Sequence, residues 1–546
     1  MPKMEITSPS PNSSKNAEPT RASAIASAII VLGFLGLVFN VCAIFVGFHH
    51  SLYDFHGFRQ TQTALTVDSF LQGGSFLRYE TPVLGPPWAI PFEFPLYQGI
   101  VAEVVKLFGT RVEETGRAVS ILSFYLCFLP LASILRFLRF RGIQILSVLA
   151  IFAVSPLYIF CSRLFMIEST ALFFSLMYVE QMFRLTLGER PWQYRHMIGA
   201  AVFGILGGLV KVTTFAPYFL LGIGLAAGQV LKLYRNGTIP FRRIAAAAFF
   251  SALLPVAFTE LWTKFADGLK AQNPFAVVLI STSKSMQGWN FGTIGQRLQL
   301  ESYYVLVARV FTQIGYPMAG LLIAGVYAAM LIAAGNAPFR RWNRVAATCL
   351  LLYAGTTMLF FNLHVVHEYY PYSTALFLVV AIGAMLAPTL DRPGRKAWVG
   401  VALLAIEMAA CVVYYHSRYY PIQSFDSPGR PQAAAIIDRI TSIQDVILIT
   451  GLKWSPELPY QSRRRAIMDP EFFVDGHLQG PDVMRQAIQN VGPKGISAVV
   501  ACDTGRNSER LKMLLQLAGT GYETQLHGDD CDIYEKVAGQ VPLNRR

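Results

Sequence analysis

The chain has 546 residues, of which 53% are hydrophobic and only 14% are charged, and its mean hydropathy is +0.42. An average soluble domain has about 25% charged residues, so this composition excludes a large soluble protein and predicts a polytopic α-helical membrane protein. The formal net charge is +13. Because the cations concentrate in short loops between apolar runs, we interpret them as orientation signals and expect no nucleic-acid partner.

Residues 1–22 are polar and rich in Pro and Ser, which predicts a disordered tail. About eleven apolar runs follow, and most are long enough to cross the roughly 30 Å of bilayer hydrocarbon. The fifth and sixth runs are short and adjoin at Lys211. The predicted spans are 23–47, 117–138, 142–160, 165–183, 197–212, 214–231, 244–262, 313–335, 345–363, 370–388 and 397–415.

The Lys and Arg residues are distributed asymmetrically between the two sides of these spans. About 19 lie on the side of the N-terminal tail and about two in the short loops opposite, which predicts that the first side is cytoplasmic. The odd number of spans then places the C-terminus outside. We expect a multi-pass protein of the cell (inner) membrane, with a transmembrane domain over 23–416, outer loops at 48–116 and 263–312, and an extracytoplasmic domain over 417–546.

The first outer loop opens with many hydrogen-bonding groups, in the stretch HHSLYDFHGFRQTQTALTVDSF. Asp54 is a candidate general base, because a carboxylate at the water boundary can deprotonate or orient an acceptor hydroxyl. Arg59 offers a fork of donors suited to phosphate, and Gln60 and Gln62 add neutral donors and acceptors. The alternatives are a solvated Asp54 and an Arg59 at headgroup level. The following helical stretch is expected to lie along the membrane interface.

Three more charged residues are predicted at the same face. Glu93 stands among apolar neighbours, where an unpartnered carboxylate would be costly, so we expect a cation or a metal beside it. Glu168 lies just inside the outer end of the fourth span, and intramembrane acids are functional candidates; Arg163, shortly before it, is a candidate partner. Lys211, at the outer boundary, is a candidate phosphate ligand, or else extends to lipid headgroups.

The turn before the tenth span reads NLHVVHEYYPY. If this turn is helical, His364 and His367 share a face. With Tyr369 they are candidates for binding a phosphate or an acceptor. Together with Glu93 the two His could instead bind a divalent metal, since His and carboxylate are common zinc ligands. The alternative is an interfacial His pair within an aromatic belt.

The tail after the last span changes character. Short β-like runs alternate with helix-like segments, which predicts a small α/β domain. Cys502 and Cys531 could form a disulfide if this domain is exported. The predicted strands cover 445–450, 496–502 and 531–537, and a helix-like segment covers 481–491.

A polar and aromatic segment follows the first predicted strand of this tail. It contains Trp454, Pro456, Tyr460 and the basic run Arg463–Arg465. Loops after strands often bind ligands, but a packed turn beside a solvated basic patch is the simpler interpretation, and we favour it.

Taken together, these features resemble the GT-C membrane glycosyltransferases, and within them the protein O-mannosyltransferase and aminoarabinose-transferase branch (glycosyltransferase family 39-like). The resemblance is carried by the spans, the long first outer loop and the motifs FRQTQTA, FEFPLYQ, SRLFMIES and HEYY. It implies a glycosyltransferase that moves a sugar from a polyprenyl-phosphate donor to a glycan, lipid or protein acceptor. Transfer would occur at the outer face of the membrane and would use no nucleotide.

The sequence departs from this branch at two places. Members usually carry an Asp-Glu pair at the start of the first loop, where this chain reads Arg-Gln-Thr-Gln and Asp54 is the nearest upstream carboxylate. Phe94 stands where relatives tend to have a Lys. The resemblance therefore implies Asp54 as the catalytic carboxylate, with Glu93 and Glu168 as alternatives. The residues implied in substrate binding are Arg59, Gln60, Gln62, Lys211, His364, His367 and Tyr369.

Two other functions fit a polytopic protein of this kind. A transporter or flippase of lipid-linked saccharides would show internal repeats and charges at the middle of the membrane, whereas here the ionisable groups cluster at one face. A saccharide polymerase or ligase would carry its site on a large late outer loop, whereas here the first loop is the richer one. Both observations favour the transferase.

Overall fold

The computed structural model describes residues 17–237, 240–392, 394–469, 481–506, 508–519 and 521–536. Most of the predicted disordered tail, 1–22, lies outside the described residues, and the first helix begins at Ala17. The helices up to the end of the last span are α1 (Ala17–Ile44), α2 (Gly57–Leu71), α3 (Leu96–Phe108), α4 (Val112–Phe137), α5 (Gly142–Val154), α6 (Pro156–Ser162), α7 (Glu168–Leu187), α8 (Tyr194–Arg235), α9 (Phe241–Ala248), α10 (Leu254–Lys270), α11 (Lys284–Phe291), α12 (Ile294–Leu298), α13 (Leu300–Ile314), α14 (Pro317–Ala334), α15 (Arg340–Leu359), α16 (Phe361–Val366), α17 (Ala375–Leu390) and α18 (Ala397–Tyr414).

The predicted spans all fall on these helices, which confirms a multi-pass helical membrane protein. Among the described residues, six helical segments are by themselves long and apolar enough to cross a bilayer, and α5 with α6, bent by 59°, counts as a seventh. Helices α7 and α15 carry charged residues near their ends, and α17 has only 16 residues. Their apolar lengths are therefore shorter than the predicted spans suggested.

Helix α8 bends back on itself at Lys211. Its 42 residues would extend about 63 Å if straight, but Lys211 has non-helical dihedral angles, φ −163° and ψ 100°. Gly204 and Gly222 lie on opposite sides of this break, and both lie against the ring of Tyr178. In a straight helix they would be about 27 Å apart. The segment is therefore a hairpin of two arms, as the two short predicted spans indicated.

After the last span, the chain forms the predicted α/β domain. Its sheet has the order β2-β1-β3-β5-β4, in which β2, β1 and β3 are parallel and β5 and β4 are antiparallel. A disulfide joins Cys502 and Cys531 on neighbouring strands. The elements are α19 (Tyr420–Gln423), α20 (Pro431–Ile440), β1 (Val446–Thr450), α21 (Glu457–Ser462), β2 (Arg465–Met468), α22 (Pro481–Gln489), β3 (Ala498–Cys502), α23 (Glu509–Ala518), β4 (Tyr522–Gly528) and β5 (Cys531–Lys536).

The long first loop, 48–116, extends this sheet at its β2 edge. Pro82 O accepts a hydrogen bond from Ala466 N at 3.0 Å, Val83 O accepts one from Met468 N at 2.9 Å, and Gly85 N donates to Ala466 O at 3.1 Å. An exposed strand edge would leave these groups unpaired. Val83 and Leu84 also join the hydrophobic core of the α/β domain. The domain therefore packs as one unit with the loop.

Asn273, just after α10, fixes the turn that follows this edge segment. Its side-chain amide donates to the carbonyl oxygens of Leu84, Gly85 and Pro87 at 3.2, 2.8 and 3.2 Å. Its side-chain oxygen accepts from two backbone amides, Phe275 N and Ala276 N, each at 2.9 Å. With only 1% of its surface exposed, Asn273 satisfies backbone groups that would otherwise be buried without partners.

We expect Asn273→Ala to lower the free energy of unfolding by about 3 kcal/mol, because it leaves several buried backbone groups unpaired. Thermal unfolding of the purified protein in detergent measures this change. Asn490→Ala is the matched control, since Asn490 is exposed and makes one side-chain contact, of 3.4 Å, to Pro86 O. Equal melting temperatures for the two variants would contradict the role of Asn273.

Candidate active site at one end of the helix bundle

Asp54 lies buried between the start of α2 and the turn after α6. One carboxylate oxygen is 3.3 Å from Arg163 Nη2, and the side chains of Asp54 and Arg163 are 4% and 1% exposed. The other oxygen accepts a hydrogen bond from the amide of Gln60. Gln60 in turn accepts a hydrogen bond from Phe165 N at 3.0 Å. Asp54 is therefore held in one orientation by groups from two separate segments.

Glu168 pairs with Lys211, and the two side chains are 2% and 6% exposed. The expected pairing of Glu168 with Arg163 is wrong, because the guanidinium of Arg163 points to Asp54 instead. The break in α8 places Lys211 at this face and also frees the carbonyl of Leu209, which accepts a hydrogen bond from Phe94 N at 3.1 Å. The break at Lys211 thus lets α8 contact α7 through Glu168 and the first loop through Phe94 N.

Glu93 has the cation beside it that its apolar surroundings led us to expect. Its carboxylate pairs with Arg59, and Arg59 also donates to Gln62 Oε1 at 2.6 Å, one helical turn further along α2. Tyr79 holds the loop at this point, because its hydroxyl accepts from Phe92 N at 2.6 Å and donates to Glu93 O at 2.9 Å.

Tyr369 connects these pairs into one cluster. Lys211 Nζ lies 5.1 Å from the centre of its ring, and the rings of His56 and His367 lie at 5.2 and 5.1 Å. Burial lowers the pKa of His56 in spite of the neighbouring Asp54. Burial and the nearby cationic groups lower the pKa of His367 to about 4. Both imidazoles are therefore neutral at pH 7 and act as rings and hydrogen-bonding groups.

His364 and His367 do not share a helix face, so this prediction is wrong. Helix α16 ends at Val366, and His367 has an extended backbone. His364 is buried with Nδ1 2.9 Å from Phe360 O, whereas His367 packs against Trp289 and Tyr369.

The residues present do not fit the predicted metal site of Glu93, His364 and His367. No group of three His, Cys, Asp or Glu side chains in the described part of the chain is arranged to hold a metal ion. The Glu93 carboxylate is paired with Arg59, and the two imidazoles point to different neighbours. We derive no chemical step through a metal.

Helix α2 is packed among other segments of the protein, and its position along the membrane interface stays a prediction. Most of its residues are buried, among them Gln60, Thr61, Gln62 and Thr63. Trp454 covers its start, with its ring 5.1 Å from Phe58. Polarity alone could not distinguish a solvated helix from one that supplies hydrogen bonds within a buried site.

The segment after β1 is the packed turn that we favoured. Trp454 also packs 6.1 Å from Phe92, and the hydroxyl of Tyr460 donates to Glu113 Oε1 at 3.0 Å. Arg465 pairs with Glu80 at 2.7 Å. These residues fasten the α/β domain to the first loop.

Arg309 on α13 and His56 are site residues that sequence reasoning missed. Arg309 Nη1, His56 Nε2 and His364 Nε2 are buried, and none has a hydrogen-bond partner within the described residues. Nε and Nη1 of Arg163 are also buried and have no hydrogen-bond partner within the described residues. The signal for Arg309 was a single cation in the apolar run YVLVARVF, close to the outer end of a predicted span. The guanidinium donors of Arg309 and Arg163 that lack partners are suited to an anionic ligand, whereas His364 Nε2 is an acceptor because Nδ1 donates to Phe360 O.

No family model and no curated protein sequence matches the chain. Among solved structures, ArnT from Cupriavidus metallidurans bound to undecaprenyl phosphate has a TM-score of 0.56 and 15% identity, covering 92% of this chain and 98% of its own. Its apo state has a TM-score of 0.55 and 14% identity, covering 92% and 97%.

The archaeal oligosaccharyltransferase AglB from Archaeoglobus fulgidus, in complex with an inhibitory peptide and a dolichol-phosphate, is also similar. It has a TM-score of 0.50 and 11% identity, covering 94% of this chain and 75% of its own. At these identities the likeness concerns the fold, and residue roles are not transferred. The chain has the fold of the GT-C membrane glycosyltransferases, as its sequence predicted.

We expect Lys211→Met to lower the free energy of unfolding by about 3–5 kcal/mol, because it leaves the buried Glu168 carboxylate without a counter-charge. Adding Glu168→Gln should recover part of the loss. Thermal unfolding in detergent measures both. Lys264→Met is the control: its partner Glu260 is 3.3 Å away, but both side chains are more than half exposed, so the change should stay below ~1 kcal/mol. A double variant as unstable as Lys211→Met would contradict the pairing.

Proposed function

We propose that this protein is a membrane glycosyltransferase that moves a sugar from a polyprenyl-phosphate donor to an acceptor hydroxyl at the outer face of the membrane. The observation that carries the proposal is the buried, oriented Asp54 beside a set of cations at one end of a GT-C fold. The ligands of the similar structures, undecaprenyl phosphate in ArnT and dolichol phosphate in AglB, support a lipid-phosphate donor.

Asp54 acts as the general base in this proposal. The acceptor oxygen attacks the anomeric carbon of the donor, the bond from that carbon to the phosphate oxygen breaks, and Asp54 takes the hydroxyl proton. Arg163 and Gln60 each contact one of its oxygens. A carboxylate has about four lone-pair positions, so Asp54 retains positions for the acceptor. Glu93 and Glu168 are the alternative bases, and each of them is paired with a cation, as Asp54 is with Arg163.

The polyprenyl phosphate that leaves carries the negative charge developing in the transition state. Arg309 has an unpartnered buried Nη1, and Lys211 lies 4.6 Å from the Tyr370 ring and pairs with Glu168. With Arg59 these groups would stabilise the phosphate. The neutral rings of His56 and His367 would enclose it, with Tyr369 between them.

The outer placement of this site rests on charge distribution. The short loops at the opposite end of the bundle hold most of the cations, which favours a cytoplasmic position for that end and for the N-terminus. The Cys502–Cys531 disulfide supports an oxidising compartment for the α/β domain. The acceptor, a glycan, lipid or protein, would approach from this side.

The test measures release of polyprenyl phosphate by purified protein from a panel of undecaprenyl-phosphate-linked hexoses and pentoses. We expect release by the wild type and a loss of about 10²–10⁴-fold in Asp54→Asn, because the base is removed while shape is kept. Asp391→Asn is the control, since Asp391 pairs with Arg141 between helices at the opposite end of the bundle.

Two outcomes would contradict the proposal. Absence of release from every donor in the panel would argue against a transferase of this class. Full activity of Asp54→Asn would leave the transferase function in place but would exclude Asp54 as the general base. Arg309→Gln should lower kcat and kcat/KM together, because Arg309 would stabilise the charge that develops on the leaving phosphate.

A further inference from the structure

A cleft lies between the first outer loop and the α/β domain, separate from the cluster around Asp54. Its cavity volume is about 170 Å³, and its walls include Pro86 and Trp88 from the loop and Asp445, Arg465 and Lys494 from the domain. A cavity of about 150 Å³ can hold benzene. The cleft therefore has room for one six-membered ring.

The walls of this cleft have the chemistry of a sugar site. The guanidinium of Arg465 lies over the Trp88 ring, 5.5 Å from its centre, so a cation and an aromatic ring form one side of the cleft. Aromatic faces with a few convergent polar groups are typical of small-ligand sites. Arg465 Nη2 donates to Glu80, and its other donors have no hydrogen-bond partner within the described residues. Asn490, also on the wall, presents a side-chain amide.

The unpaired cation of the cleft, within the described part of the chain, is Lys494, because Glu80 already pairs with Arg465 at 2.7 Å. Lys494 is exposed and has no hydrogen-bond or ion-pair partner among the residues described. Asp445 is the opposing acid in the wall, and its Oδ2 already accepts a hydrogen bond from Ser442 N at 2.8 Å. A carboxylate or phosphate on the ring would therefore meet Lys494 and Arg465.

One hairpin, 79–93, forms both the cleft wall and part of the candidate active site. Thr81 N donates to Trp88 O at 3.0 Å across this hairpin. At its end, Glu93 pairs with Arg59. A group bound against Trp88 is thus held by the same segment that positions Arg59, and binding energy from a remote part of a substrate can orient the reacting part.

We propose that this cleft binds an acidic sugar unit of the acceptor, away from the hydroxyl that reacts. The proposal rests on the transferase function above, and it names the substrate class as a saccharide that carries a carboxylate or a phosphate. Trp88 supplies an aromatic surface, Lys494 supplies the counter-charge, and Arg465, which is paired with Glu80, supplies further hydrogen-bond donors.

The test is ¹⁹F NMR of the full-length protein in detergent, with its seven Trp residues replaced by 5-fluorotryptophan. Trp88→Phe identifies the Trp88 resonance. Glucuronate, glucose and glucosamine are the probes. We expect glucuronate to shift the Trp88 resonance at lower concentration than glucose or glucosamine. Lys494→Ala should weaken glucuronate binding about tenfold, and Lys494→Arg should retain it.

Lys512→Ala is the matched control, because Lys512 is exposed on the same domain and pairs with Glu509. No shift of Trp88 with any probe, or equal shifts for glucosamine and glucuronate, would overturn the proposal. An unchanged affinity in Lys494→Ala would also overturn it. Sugar binding at Trp88 does not require turnover, so the two proposals can fail separately. Release of polyprenyl phosphate without a shift of the Trp88 resonance would refute the sugar site in the cleft and leave the transferase. Glucuronate binding at Trp88 without release of polyprenyl phosphate would refute the transferase and leave the sugar site.

Discussion

Burying charge at one end of a helix bundle requires a partner for each charged group, and two ion pairs meet this requirement. Asp54 with Arg163 and Glu168 with Lys211 are almost wholly removed from water. An unpaired charge in such a place would cost several kcal/mol, so each pair restricts where its segments can lie. The first loop, the turn after α6, the start of α7 and the break in α8 are thereby held at one face, where Tyr369 joins them.

The α/β domain depends on the same face through backbone pairing. Its β2 edge is completed by residues 82–85 of the first loop, and Asn273 fixes the turn behind them. The hairpin that starts at this edge ends at Glu93 and Arg59. The domain therefore helps position the candidate active site as well as forming the cleft at Trp88. A separately folding module would need a core of its own, whereas this core includes Leu84 and Phe275 from the loops 48–116 and 263–312.

Local patterns predicted the elements well, because apolar length and strand-like runs depend on few neighbours. The spans, the hairpin at Lys211 and strands β1, β3 and β5 follow from residues close in sequence. The apolar neighbours of Glu93 required a cation, but the cation that meets it, Arg59, is 34 residues away. One error concerns a contact between distant segments, because Arg163 pairs with Asp54 and not with Glu168. The other concerns the end of a helix, because α16 ends at Val366 and separates His364 from His367.

Hydropathy and the distribution of charge are enough to predict a multi-pass helical protein with polar groups gathered at one face and an α/β domain after the last span, because each span must satisfy its own backbone in lipid. The pairing of each acid with its cation, the place of Arg309 and His56 in the site, and the burial of helix α2 become visible in the folded structure alone. These depend on the three-dimensional meeting of loops far apart in the chain, where the cost of an unpaired buried charge selects the partner.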